Sequence, residues 1–191
     1  MDSTQSAAGS AIATTLKNLQ AAFNGESNAR ASYLAFATKA DAEGFAPVAS
    51  LFRAAAQAEE HHARNHSEVI RKLGATPVAI IAPPCVKSTR ENLETAVTGE
   101  TYERDVMYPT FIAKARQEGE NEAVSTFQLA LAVETEHAQL YAEALKNLES
   151  LRGGEPVIYY VCPFCGSTTA TAGFDLCPVC STPEDEFEEI R

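Results

Sequence analysis

Two short motifs carry the chemistry that this sequence can do. Glu59 stands three residues before His62, and Glu134 stands three residues before His137. A step of three places both side chains on one helical face. Carboxylate and imidazole side by side are ligands for divalent transition ions. The two motifs are 75 residues apart at both positions, so the chain reads as two copies of one unit. Shifted back by nearly the same distance, Glu26 in NGES should have a partner near 100 or 101, and Glu100 of TGETYE is there. Glu103 follows as one acid more than the repeat requires.

A second constellation lies near the C-terminus. Cys162, Cys165, Cys177 and Cys180 form CxxC, eleven residues, CxxC. Four thiolates at this spacing surround one tetrahedral ion, and both iron and zinc fit. With iron the centre passes one electron at a time; with zinc it is only structural. Gly166 follows the second cysteine of the first pair, but Ser181 stands at the matching place in the second. Tyr160, Phe164, Phe174 and Phe187 are the aromatics available to shield the ion.

The elements that must position these groups are helical. From Ala11 to Leu151 the chain is rich in Ala, Leu, Glu, Gln and Lys, all good helix formers. Four rods are predicted: about Ser10 to Ala42, Pro47 to just before Gly74, Ser88 to Glu118, and Asn121 to Leu151. Short turns at Gly44 and Gly119 make two hairpins, joined by the Pro-containing crossover ATPVAIIAPPCVK. That is the plan of an all-α four-helix bundle with one long connection. Pro109 falls inside the third rod and should kink or bulge it. At about 1.5 Å per residue, Glu26, Glu59, Glu100, Glu103 and Glu134 all lie roughly 22–28 Å from their turns, one level at mid-bundle. Five carboxylates and two imidazoles there cannot stay charged and unpaired. One Glu from each of two helices, with Glu-x-x-His from the other two, is the ligand pattern of di-iron and di-manganese carboxylate proteins. The expected domains are a disordered leader over 1–10, the bundle over 11–152, and a small β-rich metal domain over 153–191. The last is too small to hold together by an apolar core alone.

The other polar residues read as bystanders. His61 and His66 have no counterpart histidines one repeat later, where Glu136 and Tyr141 stand, and are expected on a solvated helix face. Glu60 and Glu136 should point away from the layer. Cys85, alone in the crossover, is expected to be a buried inert thiol; Tyr141 is core or surface. The formal net charge of −11 disfavours phosphate backbones and anionic membranes, so no nucleic-acid partner is expected. No apolar run is long enough to span a bilayer, the N-terminus is not a signal peptide, and paired cysteines suit metal. A cytoplasmic, reducing location follows.

NGESNARASYLAFA, AEEHHARN, TGETYERDVMYPTF and LAVETEHAQLYAEAL, followed by CPFCG and CPVC, closely resemble rubrerythrin over about residues 11 to 190. The resemblance implies a ferritin-like di-iron bundle with a C-terminal rubredoxin-like domain. It implies that Glu59 and Glu134 bridge two irons, that Glu26, Glu100 and His137 are terminal ligands, and that His62 and Glu103 alternate on one iron with oxidation state. It makes Tyr33 and Tyr108 hydrogen-bond donors beside the metals. The implied activity is reduction of hydrogen peroxide to water, with electrons arriving through the FeS4 domain from an external NAD(P)H-dependent reductase or a rubredoxin. No Gly-rich nucleotide fingerprint is present, so NADH itself should not bind. A head-to-tail homodimer is implied, bringing one subunit's FeS4 near the other's di-iron pair. The competing reading is a ferritin-like iron-handling or ferroxidase protein with a structural zinc tail.

Overall fold

A computed structural model describes residues 4–191 of the chain, with side-chain surroundings from residue 14 onward. Helix α1 covers Thr4–Ala42, so residues 4–10, expected as a leader, are helical; residues 1–3 lie outside the described residues. The chain reverses at Gly44 (φ 80°), where Phe45 N–H donates to Ala40 O. Helix α2, Ala46–Lys72, opens with Pro47, whose missing N–H costs nothing in a first turn.

The crossover then runs extended along α1. Gln20, Asn24 and Asn28, one turn apart, hydrogen-bond the backbone of Thr76, Val78, Ile80 and Ala82 at 2.7–3.1 Å. The amide ladder bonds part of the strap's backbone, and Val78, Ile80 and Ile81 stand exposed. Cys85 is exposed, not buried as expected.

The third rod is α3, Thr89–Tyr102, a π-helical turn at Glu103–Met107, and α4, Tyr108–Glu118. Ser88 and Glu91 form a reciprocal capping box at its start. Tyr108 N–H donates to Glu103 O, five residues back, and Pro109 follows with no N–H to give. The bulge predicted from Pro109 is this π turn. Helix α5, Asn121–Lys146, completes the bundle and gives way to a 3₁₀ turn at Leu148–Leu151. Two apolar clusters, one around Phe36, Phe52 and Tyr141 and the other around Leu19, Ile70 and Phe127, leave a polar layer between them.

The C-terminal segment forms a three-stranded antiparallel sheet, ordered β2-β1-β3: β1 Tyr159–Val161, β2 Thr168–Thr169 and β3 Glu188–Ile190. It packs on α2 and α5 of the same chain.

Candidate metal centre

The four rods deliver their polar side chains to one level. Glu26, Glu59, Glu134 and His137 are 0% exposed, His62 1% and Glu100 2%. Their ligand atoms form two overlapping sets, each within 4.8 Å: Glu26, Glu59, His62 and Glu134, and Glu59, Glu100, Glu134 and His137. Glu59 and Glu134 belong to both, the arrangement two adjacent cations sharing two carboxylates need. Glu103, carried by the π turn, is partly exposed and lies outside both sets, yet its charge helps push up the pKa of Glu26.

Both histidines point Nδ1 inward. His62 Nδ1 is 2.9 Å from Glu59 Oε2, and His137 Nδ1 is 3.2 Å from Glu134 Oε2. Their Nε2 atoms face out to the cysteine domain. His62 Nε2 lies 3.0 Å from Cys165 O, which can only accept, so this nitrogen carries the hydrogen. Thr168 Oγ1 donates to Gly166 O at 2.8 Å and therefore accepts from His137 Nε2, 3.2 Å away. With Nε2 keeping its hydrogen in each ring, Nδ1 is the nitrogen left to face the carboxylates, and a bound metal would take the place of any proton there.

The electrostatics call for cations. Burial first, and mutual repulsion second, push Glu26 and Glu100 well above the usual carboxylate range. Burial opposes the charged forms of His62 and His137 as well. The Glu134 and Glu59 carboxylates outweigh it, raising His62 well above its ordinary value and His137 to about 9. Glu26 Oε2 and Glu59 Oε1 are buried without a hydrogen-bond partner. Orphaned carboxylate oxygens in a dry layer are costly, and a pair of dications satisfies them.

The repeat extends to the tyrosines. Tyr33 Oη donates to Glu100 Oε1 at 2.5 Å, and Tyr108 Oη donates to Glu26 Oε1. Each hairpin's tyrosine therefore serves the other hairpin's glutamate. Tyr33 and Tyr108 are themselves 75 residues apart, whereas Glu26 and Glu100 are 74 apart. The π turn between Glu100 and Tyr108 absorbs the extra residue.

In the cysteine domain, Cys162 Sγ and Cys180 Sγ lie 3.5 Å apart and Cys165 Sγ and Cys177 Sγ 3.6 Å. Four sulfurs about 2.3 Å from one ion stand about 3.8 Å apart, so this set fits one tetrahedral metal. The two knuckles match: Gly166 N–H donates to Cys162 O and Ser181 N–H to Cys177 O, both at 2.9 Å. Gly166 has φ 85° and Ser181 has φ 65°, so the serine takes up the left-handed turn that the sequence pattern reserves for glycine. Of the four candidate shielding aromatics, Phe187 packs on the cysteine cluster and stacks edge-on with Phe174 at 4.9 Å. Tyr160 is half-buried and Phe164 is 52% exposed, so Phe164 shields little.

Two histidine readings are overturned. His61 is 2% exposed, not solvated, because β3 covers it: its Nε2 meets Glu188 Oε2 at 2.9 Å. His66 is 0% exposed and lies between Tyr108 Oη at 3.1 Å and Thr126 Oγ1 at 3.0 Å. Burial pushes its pKa down to about 3, so it is neutral. Glu60 does point away, pairing with Arg30 at 3.3 Å, and Glu136 turns outward to Ser167 Oγ at 3.0 Å. Tyr141 is core.

The cysteine knuckle reaches the centre within one chain. Besides the two histidine contacts, Asn65 Nδ2 donates to Phe164 O at 2.7 Å and Arg64 donates to Pro163 O. The dimer expected to bring a partner's cysteine domain to this spot is not needed for the approach.

Among the described residues, no helix is long and apolar enough to cross a membrane. The rubrerythrin family model matches residues 17–145. Nigerythrin of Nitratidesulfovibrio vulgaris is 35% identical over 178 residues, 93% of this chain and 87% of that protein. The solved structure of nigerythrin in its fully reduced, all-ferrous state superposes with a TM-score of 0.84 at 36% identity, covering 92% of this chain and 86% of that one. A bacterioferritin of Desulfovibrio desulfuricans shares the bundle fold, with a TM-score of 0.71 at 19% identity over 87% of this chain and 98% of that one. With its buried Glu/His layer as the di-iron site and its four cysteines as the rubredoxin-like iron centre, this chain belongs to the rubrerythrin family of oxidoreductases.

Proposed function

We propose that the protein is a peroxidase that reduces hydrogen peroxide to water, refilled with electrons through its own four-cysteine iron. The observation that carries this reading is the hydrogen bond from His62 Nε2 to Cys165 O: the one-electron centre sits directly on a side chain of the two-metal site. A storage or structural tail has no need of that contact.

In this reading Glu59 and Glu134 would be shared by the two metals, with Glu26 holding one and Glu100 and His137 the other. His62 and Glu103 would serve as alternative ligands on the Glu26 side. The anionic carboxylate suits the ferric ion and the neutral imidazole the ferrous one. Two ferrous ions held there would supply the two electrons that reduction of hydrogen peroxide requires. The chain's residues do the rest. Tyr33 and Tyr108 fix the outer carboxylates, the two apolar clusters exclude water, and Cys165 and Thr168 hold the imidazoles in the metal-binding tautomer. An external NAD(P)H-dependent reductase or a rubredoxin supplies the four-cysteine centre, and a cytoplasmic homodimer belongs to the same proposal.

The test is rapid mixing of the fully reduced protein with hydrogen peroxide and, separately, with dioxygen. Faster oxidation by peroxide, with the four-cysteine centre oxidised in step, is the expected result. Much faster oxidation by dioxygen, or a colourless four-cysteine site holding zinc, favours the iron-handling alternative.

A further inference from the structure

His66 is no ligand of either metal set, yet it is wholly buried one turn beyond His62 on α2. It links Thr126 to Tyr108, and Tyr108 links it to Glu26. Tyr108 Oη donates to Glu26 Oε1, which places the other hydrogens of the row. The phenol has only one, so its oxygen accepts from His66 Nε2–H. A neutral imidazole protonated at Nε2 has a bare Nδ1, which accepts from the Thr126 hydroxyl. Thr126 in turn is 7% exposed and lines a groove of about 310 Å3 between α2 and α5, with Lys72, Glu122 and Phe164 among its walls.

The repeat supplies an internal comparison. A 75-residue shift carries Leu51 onto Thr126, Tyr33 onto Tyr108 and His66 onto Tyr141. Among the described residues, the Tyr33 side has no such row. Tyr141 Oη has no partner, and Tyr33, Phe52 and Tyr141 pack ring against ring with centroids 5.2–5.9 Å apart. One tyrosine–glutamate pair is sealed by aromatics, and the other is backed by polar groups that reach a groove.

We propose that Thr126, His66 and Tyr108 form a one-way hydrogen-bond row from this groove to Glu26, with His66 as the positioning residue that keeps Tyr108 a donor. The row points inward. Conversion of one hydrogen peroxide to two waters consumes two electrons and two protons, and inward is the direction those protons travel. That consequence rests on the peroxidase reading; the row itself does not.

The row is tested by 15N NMR of the full chain loaded with zinc, which is diamagnetic. The expected spectrum shows His66 neutral and protonated at Nε2. Thr126→Val removes the donor to Nδ1 and should give mixed tautomers, and Thr126→Ser should restore one. His66 protonated at Nδ1 in the parent protein overturns the row, whether or not the protein reduces peroxide. The functional consequence is read in reduced, iron-loaded protein. Loss of a partner that orients a metal ligand slows reactions about 10- to 100-fold, the drop expected for His66→Leu at unchanged peroxide saturation and iron content. His66→Gln, whose amide both donates and accepts, should recover most of the rate. An unchanged rate in His66→Leu overturns the positioning role.

Discussion

Gly166→Ala is the substitution that should separate the cysteine domain from the two-metal layer. Gly166 has φ 85°, and a Cβ built there meets His62 Nε2 at 2.9 Å, Ala58 Cβ at 3.1 Å and Ala58 Cα at 3.2 Å. Two of these three are the body of α2, which cannot swing aside. Restoring an ordinary separation of about 3.5 Å from His62 means moving the knuckle by about 0.6 Å. The His62–Cys165 O bond, now 3.0 Å, then stretches to about 3.6 Å, which is no longer a hydrogen bond. Left-handed backbone costs an alanine about 1–2 kcal/mol, and a buried donor left without its acceptor about 1–3 kcal/mol. Together these give about 2–5 kcal/mol. Gly173→Ala is the control, because φ there is 94° but nothing lies within 4 Å of the added Cβ, leaving only the backbone cost. Thermal melts of both variants measure the difference, and the rate at which peroxide oxidises the four-cysteine centre of reduced protein measures the electron link. Gly166→Ala should be the less stable of the two and the only one whose four-cysteine centre lags in oxidation. Equal stability and equal rates for the two alanine variants would refute the docking of the knuckle on His62.

Three further outcomes are expected. Ser181→Gly should stabilise the cysteine domain by about 1 kcal/mol, because Ser181 holds φ 65° against its preference; a chemical melt of the metal-loaded domain signal checks this. Glu43 accepts from Thr89 N–H and Oγ1 at 2.8 and 2.7 Å, which holds its pKa down to about 2. A depressed acid stabilises fully above its unfolded value near 4.5 and stops doing so as pH falls through about 2, so Glu43→Gln should cost about 1 kcal/mol at pH 7 and nothing near pH 2, read from melts across pH. Stripping metal with a strong chelator should first collapse the C-terminal sheet, whose core is small, and then lower the bundle's Tm, with zinc or iron reversing both; unchanged melts after complete removal would contradict a metal-filled layer.

The central site was legible in the sequence because its logic is helical and repeated. Glu59, His62, Glu134 and His137 declare their faces by a step of three, and the repeat, one residue short of 75 at this point, locates Glu26 and Glu100 at the same level. Pro109 announced a distortion, and the π turn it accompanies is what carries the surplus Glu103. The same shift relates Tyr33 to Tyr108, a signal in the sequence that points to the crossed tyrosine–glutamate pairs. What stayed hidden depends on contacts between segments far apart in the chain. Comparing repeats marked His61 and His66 as unmatched, but unmatched is not exposed: His61 is covered by β3, and His66 by Tyr108 and Thr126 across the bundle. Cys85, expected to be a buried thiol, stands exposed just beyond the amide ladder that ties the crossover's backbone to α1. The seating of the cysteine domain on its own bundle leaves no mark in the linker's composition. Only Gly166, kept free of a side chain where α2 passes, hints at it.

The most direct measurement is an anomalous-scattering map at the iron edge from crystals of the iron-loaded protein. Two peaks should lie between the rods, each touching both Glu59 and Glu134, with a third among Cys162, Cys165, Cys177 and Cys180. A single peak in the bundle, or two that share neither carboxylate, would contradict a coupled pair of irons at the heart of this protein.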